Sequence, residues 1–266
     1  MITYAILFVV LIIGGTALLS WQLGRYMKWA MDPDAPETGP AGRFTRGFQA
    51  FGGGVTRAQQ DWKQYMLAIL AFNVLSFVIT FAILSLQGYL PLNPDAMVAM
   101  RGDTAFNTAA SFTTNTNLQH YSGEASLSYL SQLFALMWQQ FVSAATGIAA
   151  LAALARGLAG KTLGNFFVDL QRASFLVLLP AALVVATLMV LGGMPMTFQG
   201  SAVATTLEGV QQTIARGPVA AFVAIKQLGT NGGGFFGPNS THPFENPTFW
   251  TNALSTISII VIPMAC

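Results

Sequence analysis

The sequence predicts an all-α integral membrane protein, in which long helices cross the bilayer and shorter helices enter it only part-way. Of its 266 residues, 53% are apolar and only 8% are charged, and the mean hydropathy is +0.56. Soluble domains usually carry about 25% charged residues, and disordered chains have low hydrophobicity, so both classes are excluded. The net charge of +2 is too small for a nucleic-acid partner. The single cysteine, Cys266, excludes an intrachain disulfide.

Long uncharged segments locate the predicted spans, since a helix that crosses a bilayer needs about 20 apolar residues. The first, Ile2–Gly24, predicts an N-terminal membrane helix over residues 1–24. A signal peptide is the alternative, but such a signal carries basic residues before its apolar core, and here Arg25 and Lys28 follow it. The remaining spans are predicted at 64–86, 126–152, 173–194 and 249–266. The last one ends at Cys266 without a flanking charge, which is typical of a span that has been cut short.

The basic residues of the connecting segments predict the orientation. Segments 25–63 and 156–172 carry nine of the twelve Lys and Arg residues, whereas segments 87–124 and 195–248 carry three. By the positive-inside rule, the first two segments lie in the cytoplasm and the other two face outward. The Pro- and Gly-rich part of the first segment, 32–57, lacks hydrophobic periodicity and is expected to be irregular.

An internal repeat follows the cytoplasmic linker 25–60 and divides the rest of the chain into two units, 61–155 and 156–266. A shift of 116 positions aligns the pairs Ala105-Phe106 and Thr114-Asn115 with the pairs Ala221-Phe222 and Thr230-Asn231. Both copies lie between two predicted spans, on the outward side of the membrane. Duplicated membrane units are common in transporters, so the repeat indicates a transport pathway.

Each unit contains an apolar segment of 11–12 residues, 103–113 in the first and 218–229 in the second, which is too short to cross the bilayer. We expect both to form re-entrant helices, the second beginning at Gly217-Pro218 because Pro is tolerated at the first helical position. A polar segment follows the first helix, and a Gly-rich segment follows the second. Such backbone is tolerated at membrane depth only where protein buries it or where it lines a water-filled cavity.

Neither of these polar segments contains a carboxylate, so backbone carbonyl groups and helix C-termini are the groups that attract a cation. A ring of carbonyl oxygens that replaces a hydration shell selects a dehydrated alkali cation, whereas divalent sites usually take carboxylates. The pattern therefore predicts a filter for potassium or sodium. A flexible Gly-Gly-Gly turn and a capped Thr-Asn turn are the simpler interpretations of each segment alone. The shared position in both units favours the filter.

Other polar residues of the outward segments have different interpretations. Three basic residues are expected to be solvated or to snorkel: Arg101, Arg216 and Lys226. His120 with Glu124, and His242 with Glu245, have the side chains of zinc ligands, so a membrane metalloenzyme is an alternative function. Neighbouring Gly and Pro residues favour irregular loops there, rather than helices that carry ligands.

Two segments of the chain resemble the KdpA family, the potassium-binding and translocating subunits of bacterial Kdp potassium-transporting ATPases. They are FNTAASFTTNTNLQHYSGE, Phe106 to Glu124, and GPVAAFVAIKQLGTNGGGFFGPNSTHPFENPT, Gly217 to Thr248. The likeness extends over essentially the whole chain, including the N-terminal span. It implies potassium-channel-like membrane–pore–membrane repeats, with four pore loops around a filter that faces the periplasm. Potassium is then the transported ion, and the location is the lipid of the bacterial inner membrane.

The resemblance also implies partners and the residues of the filter. A P-type ATPase catalytic subunit and small accessory membrane subunits are the expected partners. ATP hydrolysis is assigned to the catalytic partner, because this chain carries no GxxxxGK[ST] loop and no P-type phosphorylation motif. By position, the first filter loop contains Thr114, Asn115, Thr116 and Asn117 with Gln119 beside it, and the second contains Thr230, Asn231, Gly232, Gly233 and Gly234.

The chain departs from the family pattern in two ways. Leu118 stands where the family usually has Trp, which affects the packing behind the first loop but not its carbonyl groups. The chain also holds two of the four pore units, and two loops cannot surround an ion. Either it is a fragment or a truncated product, or a second chain supplies the missing half of the pore. An accessory membrane module that does not conduct by itself is the remaining alternative.

Overall fold

The computed structural model describes residues 2–32 and 39–266, and most of the described chain is helical. Residues 33–38, within the predicted linker, lie outside the described residues. The helices, in chain order, are α1 (Ile2–Ala30), α2 (Pro40–Arg57), α3 (Trp62–Leu86), α4 (Gly102–Thr113), α5 (Gly123–Ser126), α6 (Ser131–Leu158), α7 (Phe166–Leu191), α8 (Val219–Leu228) and α9 (Phe249–Ala265). Helices α6 and α7 include π-helical turns at Ser131–Met137 and Ala173–Leu178. Short 3-10 turns lie at Gln87–Tyr89 and Asn239–Thr241.

Four of the described helices are long and apolar enough to cross a membrane: Ile6–Ala30, Trp62–Tyr89, Ser131–Leu158 and Phe166–Leu191. They confirm four of the predicted spans and the all-α membrane fold class. The fifth predicted span corresponds to α9, which is apolar but shorter, with 17 residues. We call the side of the membrane that holds α2 and the connection between α6 and α7 the basic side.

The two predicted short helices are present, each between longer helices. Helix α4 lies between α3 and α6, and α8 lies between α7 and α9. Helix α4 buries one face, which includes Ala105, Ala109 and Phe112. Helix α8 is buried along almost its whole length, from Val219 to Leu228. Eight of its ten residues are apolar, and a helix that is apolar on almost all sides is typical of a buried position. Helix α8 therefore lies in the core of the described structure.

Segment 40–57 is helical, so the prediction of irregular structure was wrong there. Helix α2 bends at Gly53, whose backbone is not helical (φ 57°, ψ −138°). Its apolar residues recur at spacings of three and four, which is a helical stripe: Phe44, Phe48, Phe51 and Val55. Phe44 packs against Phe175 of α7, with ring centroids 5.3 Å apart. The many glycines lower helix propensity and hide this stripe in the sequence, whereas tertiary contacts of this kind compensate for the loss.

An antiparallel hairpin, which the sequence analysis did not predict, lies in the connection between α7 and α8. Its strands are β1 (Ala202–Thr205) and β2 (Gln211–Ile214). Because the strands are largely exposed, they lack the apolar alternation by which a half-buried strand is recognised. Arg216 holds the base of the hairpin, since its Nε donates to the Gly200 carbonyl at 2.8 Å. Arg216 is therefore half-buried rather than fully solvated.

A buried ion pair joins α6 to α7 at the basic side. Arg156 donates to the carboxylate of Asp169, and the two side chains are 9% and 3% exposed. The hydroxyl of Tyr65, in α3, donates to the same carboxylate oxygen at 2.9 Å. A buried carboxylate needs such partners because water cannot solvate it. The cluster thus ties together three helices where the two units of the chain meet.

Two helices begin with reciprocal caps. At α3, Asp61 accepts from Gln64 N at 2.8 Å, and the Gln64 side chain accepts from Asp61 N at 3.1 Å. At α9, Thr251 N donates to Thr248 Oγ1 at 3.2 Å, and Thr248 N donates to Thr251 Oγ1 at 2.9 Å. These caps satisfy N–H groups that have no partner inside the helix.

Replacing Thr248 with alanine is expected to lower the free energy of unfolding by about 1 kcal/mol, because Thr251 N loses its acceptor. Thermal unfolding in detergent measures the change. Thr248→Ser keeps the hydroxyl and is the control, with stability close to wild type. An alanine variant as stable as the serine variant contradicts the cap assignment.

Candidate functional site

The two candidate filter loops adjoin each other at the C-terminal ends of the short helices. Loop one (Thr114–Gln119) follows α4, and loop two (Thr230–Gly234) follows α8. The structure therefore brings together all ten candidate residues, which the chain separates into two distant segments. Their exposure varies: Asn117, Asn231, Gly233 and Gly234 are buried, Asn115 and Gln119 are half-buried, and Thr114, Thr116, Thr230 and Gly232 are exposed.

The N–H groups of both loops turn back toward the helices that precede them. In loop one, Thr116 N and Asn117 N donate to the Ser111 carbonyl at 2.9 and 3.0 Å. In loop two, Asn231 N donates to the Lys226 carbonyl at 2.9 Å. These bonds satisfy carbonyl groups at the helix ends, which otherwise have no partner. The backbone N–H groups of Thr116, Asn117 and Asn231 are thus used within their own units.

Several loop residues have left-handed backbone conformations. The φ angles of Asn115, Asn117 and Thr230 are +61°, +56° and +53°. Asn tolerates this region, whereas a β-branched Thr adopts it rarely. Such strain persists only where surrounding contacts hold the backbone, and it concentrates at functional sites.

Polar side chains join loop one to loop two. Asn115 Nδ2 donates to the Gly229 carbonyl at 3.2 Å, and Asn117 Nδ2 donates to Asn231 Oδ1 at 2.7 Å. Gln119 makes two bonds to one backbone unit of loop two: its Nε2 donates to the Gly234 carbonyl at 3.1 Å, and its Oε1 accepts from Gly234 N at 2.8 Å. Each amide side chain thus spans the gap between the loops.

The glycines of loop two permit close contact with loop one. A Cβ atom at Gly232 would lie 2.8 Å from the Thr116 carbonyl oxygen, and one at Gly233 would lie 2.7 Å from the ring of Phe112. Real Cβ contacts are essentially never this short. Gly232 and Gly233 are therefore required by the approach of one backbone to the other.

The carbonyl oxygens of both loops remain largely free. Among the described residues, hydrogen-bond donors contact the carbonyls of Gly232 and Gly234, from Asn239 and Gln119. In the same part of the chain, no donor contacts the carbonyl oxygens of Thr114, Asn115, Thr116, Asn117, Thr230, Asn231 and Gly233. Carbonyl groups that no protein donor contacts are left to accept from water or to bind an ion. The loops therefore offer acceptors and few donors, which suits a cation.

A cavity of about 560 Å³ lies beside the loops. Its polar wall is formed by Thr113, Thr114, Asn115, Ser143 and Thr230, and residues near the end of α9 close another side. Thr113 ends α4 and Gly229 follows α8, so the C-terminal ends of both short helices border this space. Helix C-termini carry partial negative charge, which favours a cation there.

Lys226, predicted to be solvated or to snorkel, is instead buried in an ion pair, so that prediction was wrong. Its side chain is 3% exposed and donates to the carboxylate of Glu245 at 2.6 Å. Ionisable residues at membrane depth are costly unless they are paired, which makes a buried pair the more stable arrangement. Arg101 behaves as predicted, since its side chain is 84% exposed in an ion pair with Asp103.

Three of the four residues of the metalloenzyme alternative, Glu124, His242 and Glu245, have other partners. His242 stacks on Phe236, with ring centroids 3.8 Å apart, and Glu245 binds Lys226. Glu124 accepts from Gly237 N at 2.8 Å. Within the described residues, no cluster of three or more His, Cys, Asp or Glu side chains forms a metal site. These contacts stabilise the loop that follows loop two, and they give the zinc hypothesis no support.

The sequence analysis missed three residues that hold the loops. Ser143 Oγ donates to Asn115 Oδ1 at 2.8 Å, and Gln132 Nε2 donates to the Phe235 carbonyl at 3.1 Å. Asn239 donates to the carbonyl of Gly232. Polar residues within apolar spans are a recognised signal of function, so Gln132 and Ser143 were detectable in principle. Asn239, in a polar segment, carried no such signal.

Tyr121, just after loop one, is neutral over the physiological pH range. Burial raises its pKa to about 12. Its hydroxyl accepts from Gln119 Nε2 at 3.2 Å. Because the phenol carries no charge, it orients Gln119 without adding to the field at the loops.

Comparison with known protein families shows to which family the chain belongs. The profile of the KdpA family, described as potassium-transporting ATPase A subunit, matches residues 8–266. The chain belongs to the KdpA family. The match includes both short helices and both loops, so the resemblance inferred from two segments holds across the chain.

KdpA relatives of this chain carry the name potassium-transporting ATPase potassium-binding subunit. The chain is 54% identical to the one from Pseudomonas entomophila strain L48 over 247 residues, which is 91% of this chain. Identity is 58% over 211 residues, or 78% of this chain, for Pseudomonas aeruginosa PAO1, and 48% over 261 residues, or 97%, for Rhodospirillum centenum SW. The matched parts are 44%, 37% and 46% of those relatives, so the chain spans less than half of their length.

Leu118, which the resemblance singled out as a departure from the family pattern, lies within loop one. Its backbone is held, because Leu118 N donates to Ser111 Oγ at 2.6 Å. Its side chain is 55% exposed in the described structure. The backbone of loop one is therefore held at Leu118, while its side chain lies on the outside of the loop.

Proposed function

We propose that this chain supplies two loops of a potassium-selective filter to a potassium-binding and translocating subunit of an ATP-driven uptake complex. One observation carries the proposal: unbonded carbonyl oxygens on two joined loops lie next to the C-terminal ends of two helices. Carbonyl oxygens replace the hydration water of an alkali cation, and carboxylates are not needed. The relatives are named for potassium, which supports potassium over sodium as the ion.

The contact between the loops suggests how the filter closes. Asn115 of loop one donates to the Gly229 carbonyl, at the end of α8 just before loop two, whereas Asn231 of loop two donates to the Gln140 carbonyl of α6 at 3.4 Å. Contacts between unlike surfaces are head-to-tail, and repeated contacts of this kind form a closed ring when the rotation between successive copies closes. We assign the two further loops of such a ring to the missing half of the pore, for which the greater length of the relatives leaves room.

The same proposal includes orientation and partners. The loops face the periplasm and the basic side faces the cytoplasm of a bacterial inner membrane, because Lys and Arg concentrate on the cytoplasmic side of membrane proteins. A P-type ATPase catalytic subunit hydrolyses ATP, and small accessory membrane subunits complete the complex. The long apolar helices contact membrane lipid.

Potassium binding by the full-length subunit in its assembled complex tests the proposal. Asn231→Leu leaves Asn117 Nδ2 without its acceptor, and a buried unpaired donor costs about 1–3 kcal/mol. We expect potassium affinity to fall about tenfold and the preference over sodium to decrease. Potassium-dependent ATP hydrolysis and potassium-dependent thermal protection measure both effects.

Asn107→Leu is the matched control, because Asn107 is exposed on α4 and lies outside both loops. It should leave potassium affinity at the wild-type value. An Asn231→Leu complex that still discriminates potassium from sodium would refute the filter assignment. A wild-type complex without any potassium response would favour the accessory module that does not conduct.

A further inference from the structure

A buried ion pair lies behind loop two, outside the set of filter residues. Lys226 Nζ donates to Glu245 Oε2 at 2.6 Å, and the side chains are 3% and 0% exposed. The other carboxylate oxygen of Glu245 accepts from Phe236 N at 2.9 Å. Lys226 Nζ also donates to Ser240 Oγ at 2.7 Å and to Asn239 Oδ1. All three protons of the ammonium group thus have acceptors.

Asn239 connects this ion pair to the filter loop. Its Oδ1 accepts from Lys226, and its Nδ2 donates to the Gly232 carbonyl oxygen. An ammonium group can only donate, so it requires the oxygen of the Asn239 amide to face it. The amide nitrogen must then face Gly232. Lys226 therefore determines which group of Asn239 meets the filter backbone.

Glu245 binds groups on both sides of loop two, one before the loop and one after it. It binds Lys226 on α8 and the backbone of Phe236, two residues after Gly234. A Cβ atom at Gly234 would lie 2.9 Å from Glu245 Oε1, so the carboxylate packs directly against loop two. One amide group, that of Asn239, bonds to both the Lys226 ammonium and the Gly232 carbonyl, so without Glu245 the charge of Lys226 would oppose a cation at the loop.

We propose that Lys226 and Glu245 are positioning residues of the filter, an inference that rests on the proposed function of loop two. Through Asn239, the ion pair orients the Gly232 carbonyl. Because Glu245 neutralises the charge of Lys226, the buried ammonium group does not repel the ion. This role differs from a contribution to folding stability alone. It predicts that ion affinity and selectivity change, and that the change depends on whether the positive or the negative charge is removed.

Variants of the full-length subunit in its assembled complex test the inference. Asn239→Ala frees the Gly232 carbonyl and is expected to lower the ratio of potassium to sodium affinity about fivefold. Ser240→Ala is the control, since Ser240 also accepts from Lys226 but does not contact the filter loops. It should keep the wild-type ratio. Ion-dependent thermal protection, measured with potassium chloride and sodium chloride, gives both affinities.

The charge is tested separately. Glu245→Gln leaves Lys226 unpaired and is expected to weaken potassium binding about tenfold. Lys226→Met/Glu245→Gln removes the unpaired charge and should recover about threefold of that loss. Removing one partner of a buried pair also destabilises the fold more than removing both, so the free energy of unfolding is measured beside the two affinities. A purely structural pair predicts that the potassium and sodium affinities fall together, with their ratio unchanged.

An unchanged affinity ratio in Asn239→Ala overturns the inference, as does a double variant that binds potassium no better than Glu245→Gln. If Glu245→Gln does not fold, the comparison of Asn239→Ala with Ser240→Ala decides. If the wild-type protein binds potassium and these variants bind it with the same affinity and selectivity, the positioning role is refuted and the proposed function is not. Wild-type protein that does not bind potassium refutes the proposed function, and the positioning role with it.

Discussion

Substitution of Gly232 by valine is expected to weaken potassium binding by the assembled subunit about hundredfold, or about 2.7 kcal/mol of binding free energy. A Cβ atom at this position would lie 2.8 Å from the Thr116 carbonyl oxygen. The added side chain therefore separates loop two from loop one, and the carbonyl groups of the two loops no longer converge on one ion. Titration of potassium by calorimetry or by thermal protection measures the loss.

Two alanine variants calibrate this result. Gly102→Ala, at the start of α4, places its Cβ where no atom lies within 4 Å, so wild-type affinity is expected. Gly232→Ala should fall between wild type and Gly232→Val, because its single methyl group displaces the loops less. Wild-type potassium affinity in Gly232→Val would contradict the close contact of the loops as the basis of binding.

Removal of the Asp169 carboxylate should have the largest effect on stability. Asp169→Ala leaves Arg156 as an uncompensated buried charge, and breaking a buried pair in this way costs about 3–5 kcal/mol of unfolding free energy. Because the pair and Tyr65 join α3, α6 and α7, we expect the loss to appear in the main unfolding transition. Chemical unfolding in detergent micelles, followed by circular dichroism, measures it.

An exposed pair of the same residue types provides the control. The side chains of Arg101 and Asp103 are 84% and 66% exposed, so Asp103→Ala is expected to change stability little. Tyr65→Phe removes one hydrogen bond from Asp169 and should cost about 1 kcal/mol. Equal stabilities of Asp169→Ala and Asp103→Ala would show that the buried pair does not hold the helices together.

The positions of the spans and of both short helices could be predicted because each depends on consecutive residues. Helix α4 occupies Gly102–Thr113 where 103–113 was predicted, and α8 occupies Val219–Leu228 where 218–229 was predicted. Apolar length distinguishes a spanning helix from a shorter one, and the repeat indicated that both units share this design. The loop residues were predictable for the same reason, since they follow these helices directly.

Other features could not be predicted in the same way. The glycines of α2 suggested irregular chain, yet Phe44 and Phe48 lie on a helical face that contacts other helices. The exposed strands β1 and β2 have no apolar pattern. Lys226 was predicted to be exposed because the residues next to it in the sequence do not indicate its carboxylate partner, Glu245.

From the sequence alone follow the membrane class, the two short helices and the positions of the loops that follow them, because apolar length is a property of contiguous segments. Only the tertiary structure decided how these loops meet and what holds them. The bond from Asn117 to Asn231 joins residues 114 positions apart, and Lys226 finds Glu245 19 positions later. Such partners are selected by the packing of helices around them, because a buried polar group is stable only where folding places its partner within reach.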